Sequence, residues 1–84
     1  MFKNREDGGR LNLCGPQVAR LRAAAPEKLS QRALADQLQL VGVDLGKNAI
    51  QRIEAGQRFV TDIELKALAQ VLGVTVGQLL GMDK

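Results

Sequence analysis

The sequence predicts an all-α fold, a compact bundle of five short helices, and three observations carry that prediction. Capped helix starts recur: Ser30, Thr61 and Thr75 each precede an apolar-periodic stretch, with Leu29, Val60 and Val74 just before and Leu34, Leu65 and Leu79 four residues after. Each such pair is a hydrophobic staple, which fixes the angle at which the chain enters a helix. Glycines then stand where helices should stop, at Gly56, Gly73 and Gly81, because glycine takes the left-handed cap conformation at little cost. Finally, no stretch alternates apolar and polar residues over the length of a paired strand.

The elements follow in order. Residues 1–12 are polar, with Gly8-Gly9 in the middle, and the chain divides into a flexible arm over 1–14 and one helical domain over 15–84. Pro16 suits the first turn of helix one, where its missing N–H costs nothing. Val18 and Leu21 give that helix a short apolar stripe, and Pro26 ends it near Ala24, since the residue before proline avoids the helical region. Helix two is expected over 31–40, capped by Ser30 but without a capping box, because Ala33 stands where Glu would close it. Helix three starts at Gly46, an acceptable N-cap, and runs over 47–55. Helices four (62–72) and five (76–80) carry full capping boxes, Thr61 with Glu64 and Thr75 with Gln78. The β-branched run Leu40-Val41-Gly42-Val43-Asp44-Leu45 is read as a turn, since a lone strand has nowhere to pair.

Composition narrows the function. The 84 residues carry a net charge of +3, with ten Lys/Arg against six Asp/Glu in 1–58 and two against three in 59–84. That balance permits a polyanionic partner without demanding one. Cys14 is the single cysteine and His is absent, so an intramolecular disulfide cannot form and a zinc site is essentially excluded. Cys14 reads as a small apolar filler. No apolar run approaches the roughly 20 residues of a membrane span, and the start lacks a signal-peptide core; a soluble cytoplasmic protein is expected. The only hydroxyls, Ser30, Thr61 and Thr75, are all assigned to caps, and no phosphate-binding glycine loop occurs. No catalytic role and no cofactor are expected.

Helix three is unusual. On a wheel of about 100° per residue, Ile50 and Ile53 define its core side. Asn48, Gln51, Arg52 and Ala55 turn outward, with Lys47 in the first turn. This face is polar and almost free of acid. An α-helix fits the DNA major groove, where Asn can pair bidentately with adenine and Arg with guanine. Read from the residues alone, a merely solvated helix face remains the alternative. Helix N-termini hold phosphate oxygens, which puts Ser30-Gln31 and Gly46-Lys47 in position to grip a backbone. Glu54 falls near the core edge, where a carboxylate needs a partner. Phe59 is expected in the core beneath helices three and four. Lys3, Arg5 and Arg10 read as solubilising charge, or else as contacts of an arm to phosphate or minor groove.

The strings Leu29-Ser30-Gln31-Arg32-Ala33-Leu34-Ala35, Ile50-Gln51-Arg52-Ile53-Glu54-Ala55-Gly56, Glu64-Leu65, Leu68-Ala69, Leu72-Gly73-Val74 and Leu79-Leu80-Gly81 resemble, in order and spacing, the helix-turn-helix domain of the Cro and phage-repressor type. The resemblance covers about residues 15–81. It implies that Gln31 contacts a phosphate, that Lys47, Asn48 and Arg52 face base edges, and that Glu54 pairs with an arginine of helix one, here Arg22. Arg58, just past helix three, divides between backbone contact and solvent. Two departures stand out. The turn from Gln39 to Gly46 is longer than the family's by about five residues, which either lengthens helix two or adds a loop near the DNA backbone. The linker Ala25-Pro26-Glu27-Lys28 is also longer. Some members of the family share the long turn together with a stretch like Gly56-Gln57-Arg58-Phe59-Val60-Thr61-Asp62.

The expected function is therefore sequence-specific DNA binding by a transcriptional regulator of bacterial or phage type, acting as a repressor. Lys47, Asn48, Gln51 and Arg52 would contact bases; Ser30, Gln31, Gly46 and Arg58 would contact phosphates. The expected partner is double-stranded DNA, bound as a homodimer on a palindrome with half-sites about one helical turn apart. Helix five, with Val76, Leu79, Leu80 and Met82, is the candidate interface or else closes the core. No membrane partner and no small-molecule ligand are expected. The alternative class is a protein-interaction module, such as an antitoxin component, using the same fold.

Overall fold

Local signals and long-range packing agree in the computed structural model, which describes residues 8–82. Helices α1 (Gly15–Ala24), α2 (Gln31–Leu40), α3 (Lys47–Glu54), α4 (Asp62–Leu72) and α5 (Val76–Leu79) follow one another, with no strand among the described residues. Pro16 occupies the first turn of α1, and Ala25, before Pro26, is extended (φ −61°, ψ 145°) and ends it. The Ser30 hydroxyl accepts the Ala33 N–H. Both capping boxes form: Thr61 with Glu64 and Thr75 with Gln78. All three hydroxyls thus hold backbone donors at helix starts. Gly56, Gly73 and Gly81 take positive φ at the three helix ends.

The core is aliphatic. Val18, Leu34, Leu38, Leu45, Ile50, Ile53, Leu68 and Leu79 are buried with Cys14, Ala67 and Ala69. Burial pushes the Cys14 thiol above its ordinary range, which fits an apolar filler. The packing is layered around α3: α1 and α2 pack on α3, while α4 packs on α1, α2 and α5. Helix α3 therefore rests chiefly on two helices, and its outer side is left open.

The long turn resolves in favour of an added loop. Helix α2 stops at Leu40, where Val41 and Val43 N–H both return to the Leu38 carbonyl, at 3.1 and 3.0 Å. Gly42 at φ +86° reverses the chain, and Leu45 plugs into the core at 3% exposure. Leu40 is left 86% exposed on the rim of this loop.

One packing expectation is corrected. Phe59 is 56% exposed rather than buried. The link from Gly56 to Thr61 is irregular, and its neighbour Val60, the staple residue, packs on the core in its place.

Candidate nucleic-acid interface

Helix α3 sorts its side chains as the wheel demands. Ile50 and Ile53 are buried, whereas Lys47, Asn48, Gln51 and Arg52 are exposed. None of these four side chains has a hydrogen-bond or ion-pair partner among the described residues. Gly46 caps the helix through its extended backbone (φ −74°, ψ 171°) and no side chain fills that end. The first N–H groups of α3 are thus left to solvent or an anion. Among the described residues neither Lys47 nor Arg52 is held in an ion pair, which leaves both cations for a polyanion.

A shallow recess of about 280 Å³ runs between α2 and the start of α3, lined by Arg32, Asp36, Gln39, Asp44 and Lys47 among others. Arg32 and Lys47 both line it, together with Asp36 and Asp44. Arg32 is exposed in the first turn of α2, and no motif in the sequence marks it.

Behind the face lies a polar junction. Arg22 Nε donates to Glu54 Oε2 at 2.6 Å and Arg22 Nη2 to Glu54 Oε1 at 2.8 Å. Arg22 Nη1 donates to the Leu29 carbonyl at 3.0 Å. Gln31 Nε2 donates to Glu54 Oε1 at 3.0 Å. One carboxylate thereby joins α1, the linker before α2, the first turn of α2 and the last turn of α3. The side chains of the pair are only 19% and 11% exposed. Burial works against the ionised carboxyl, but the hydrogen bonds from Arg22 and Gln31 and the Arg22 charge more than offset it, and hold Glu54 below its ordinary value. The odd position of Glu54 at the core edge has its partner.

Arg58 serves a similar purpose on the other side. Its Nη1 and Nη2 donate to Glu64 at 2.8 and 3.0 Å, and Nη1 also reaches the Phe59 carbonyl at 2.9 Å. The hydrogen bonds from Arg58 hold the Glu64 carboxyl below its ordinary value. Of the residues expected at phosphates, Ser30 and Gly46 lie exposed at two helix starts. Gln31 and Arg58 are instead engaged with Glu54 and Glu64.

A model of the helix-turn-helix domain family matches residues 15–80, most of the chain. The chain belongs to the helix-turn-helix domain family. No curated protein matches it. Among solved structures, this helix-turn-helix domain is similar to the P22 c2 repressor protein, whose structure was determined in complex with a synthetic operator in the presence of Tl+. The identity is 24%, the TM-score 0.70, and the match covers 86% of this chain and 98% of that one. At that identity the likeness is one of fold, and the fold is of the phage-repressor type.

Residues 1–7 and 83–84 lie outside the described residues, and with them Lys3 and Arg5 of the expected arm. Within the rest of that arm, Arg10 and Asn12 bond to the end of α3: Arg10 Nη2 to the Glu54 carbonyl at 3.0 Å, Asn12 Nδ2 to the Ile53 carbonyl at 2.9 Å. Neither contact has a signature in local sequence. No helix among the described residues is long and apolar enough to cross a membrane, and no group of three or more His, Cys, Asp or Glu there could hold a metal ion.

Proposed function

We propose that this domain is a sequence-specific DNA-binding transcriptional regulator, a repressor in action, that lays α3 into the major groove. The observation that carries this is the unpaired outer face of α3: Lys47, Asn48, Gln51 and Arg52 are exposed above a helix whose opposite side is buried. Asn48 and Arg52 have the donor and acceptor geometry for adenine and guanine edges. Lys47 and Gln51 flank them. Ser30, Gly46 and Arg32 would hold phosphates on either side of the groove. Gln31 retains a second amide N–H beyond the one given to Glu54, and can bridge that junction to a phosphate. Arg58 is the weakest member of the set, because its guanidinium already serves Glu64. We assign no catalytic role, since every hydroxyl in the chain is a helix cap.

The domain would bind as a homodimer on a palindromic site. Val76 and Met82, at 37% and 75% exposure, offer apolar surface at α5, whereas Leu79 is buried and serves the core. Exposed Leu40, Phe59 and Ile63 favour a second reading, a protein-interaction module on the same fold.

The test is binding to labelled duplex DNA across a salt series, wild type against Asn48→Ala and Arg52→Ala. The wild type binds below micromolar, weakens steeply with salt, and prefers a few sequences over excess random duplex. Each substitution costs about 1–3 kcal/mol of discrimination at one base position without unfolding the domain. Absence of wild-type binding at about 50 mM salt, where non-specific contacts are strong, overturns the DNA reading in favour of the interaction module.

A further inference from the structure

The end of α3 is closed by a clasp from the segment before α1. Arg10 Nη2 donates to the carbonyls of Glu54 at 3.0 Å and Ile53 at 3.4 Å. Asn12 Nδ2 donates to the carbonyls of Ile53 at 2.9 Å and Arg58 at 2.8 Å, while its Oδ1 accepts the Gly15 N–H at 2.8 Å. Leu11 N–H donates to the Gly56 carbonyl at 2.9 Å. Apart from the local Asn12–Gly15 bond, these span more than forty residues of sequence and tie the segment before α1 to the end of α3.

The slot is shaped for the arginine. A Cβ on Gly56 would stand 2.8 Å from Arg10 Cζ and 2.9 Å from its Nη1, and a Cβ on Gly15 would collide with Arg10 Nη2 and the Ile53 carbonyl. Two glycines thus leave room for one guanidinium. The residue is half-buried, and its Nε is buried without a partner, so this part of the side chain is turned into the fold. The last carbonyls of a helix carry partial negative charge, and a cation there stabilises the terminus. Helix α3 has only eight residues and packs chiefly on α1 and α2; the Glu54 carboxylate ties the side chain of its last turn to Arg22 and Gln31, while the Glu54 carbonyl takes its side-chain bond from Arg10.

We propose that Arg10 is a positioning residue for DNA recognition: it fixes the C-terminal turn of α3, and through it the direction in which Gln51 and Arg52 leave the helix. This rests on the DNA-binding reading above. Arg10 acts from behind the interface and touches no nucleotide, which separates it from an arm residue that contacts phosphate.

The experiment uses the full chain and two labelled duplexes of equal length, one selected by the wild type from a random pool and one of random sequence. Arg10→Met keeps the stem and removes the guanidinium; Arg10→Lys restores the charge. For Arg10→Met the selected-to-random affinity ratio falls about tenfold, the scale of a well-placed charge at a helix end. The salt slope on random duplex stays unchanged, and amide exchange quickens at Ala55 and Gly56. Arg10→Lys recovers part of the ratio and serves as the readout if the methionine variant does not fold by circular dichroism. An equal loss on both duplexes with a salt slope shallower by about one makes Arg10 a direct phosphate contact and overturns the proposal. A folded Arg10→Met with an unchanged ratio overturns it too, even if its Tm falls, since the role is then purely structural. Unfolding of both variants assigns Arg10 to folding instead. Failure of the wild type to bind any duplex defeats the DNA reading itself, and this inference with it.

Discussion

Glu54 shows how one side chain can carry several structural duties. Its carboxylate accepts from Arg22 on α1 and from Gln31 on α2 while belonging to α3. Replacing it by Gln leaves the Arg22 guanidinium, 19% exposed, without its counter-charge; the expected loss is about 1–3 kcal/mol, read by urea denaturation followed by circular dichroism. The pH dependence follows from the direction of the shift. The folded-state carboxyl titrates below the ordinary value of 4.5, so its contribution is complete above that pH and is lost as pH falls through the folded value. Glu64 behaves alike, held down by Arg58. Wild-type stability should therefore fall more steeply below pH 4.5 than that of Glu54→Gln; equal slopes would show that the ion pair contributes nothing. That Glu54 needs a partner was legible because a carboxylate at a core edge demands one; that the partner is Arg22 was what the family resemblance implied, and the structure has that pair. The Gln31 bond and the Arg58–Glu64 pair were not, since polar side chains at helix starts and links have many partners within reach and no period to choose among them.

At the scale of elements, the helices were legible where chain chemistry is local. Ser30, Thr61 and Thr75 cap where they stand, and α2, α4 and α5 begin at the residues that follow them. Phe59 and the segment before α1 were not legible, because irregular backbone has no periodicity to say which side chain turns inward. Gly56 tests that point. It ends α3 at φ +77°, and its missing Cβ makes space for Arg10. Gly73 ends α4 at φ +70° with nothing within 4 Å of a Cβ. Alanine at Gly73 should cost about 1–2 kcal/mol, the left-handed penalty alone. Alanine at Gly56 should cost about 1–3 kcal/mol more from overpacking. In an Arg10→Ala background that excess should shrink, which thermal denaturation of the four variants in a double-mutant cycle will measure. An undiminished excess would mean that the Arg10 slot is not what excludes a side chain there.

At the scale of the whole molecule, the fold separates support from presentation. Helices α1 and α2, with the Arg10–Asn12 clasp, hold the inner side and end of α3, while α4 and α5 buttress α1 and α2 from the far side. The core that joins these parts is aliphatic, with Leu68 of α4 fully buried. Leu68→Ala should therefore cost about 2–5 kcal/mol through lost burial and the cavity left behind. For a domain of this size that lowers Tm by roughly 8 °C or more. Its effect on DNA should be indirect. Measured at a temperature where circular dichroism reports a fully folded variant, the affinity for a selected duplex should match the wild type within about twofold, because α4 packs chiefly on α1, α2 and α5 rather than on α3. A larger loss in the folded variant would mean that repacking around Leu68 reaches α3 through α1 and α2, and that the two halves of the bundle are mechanically one.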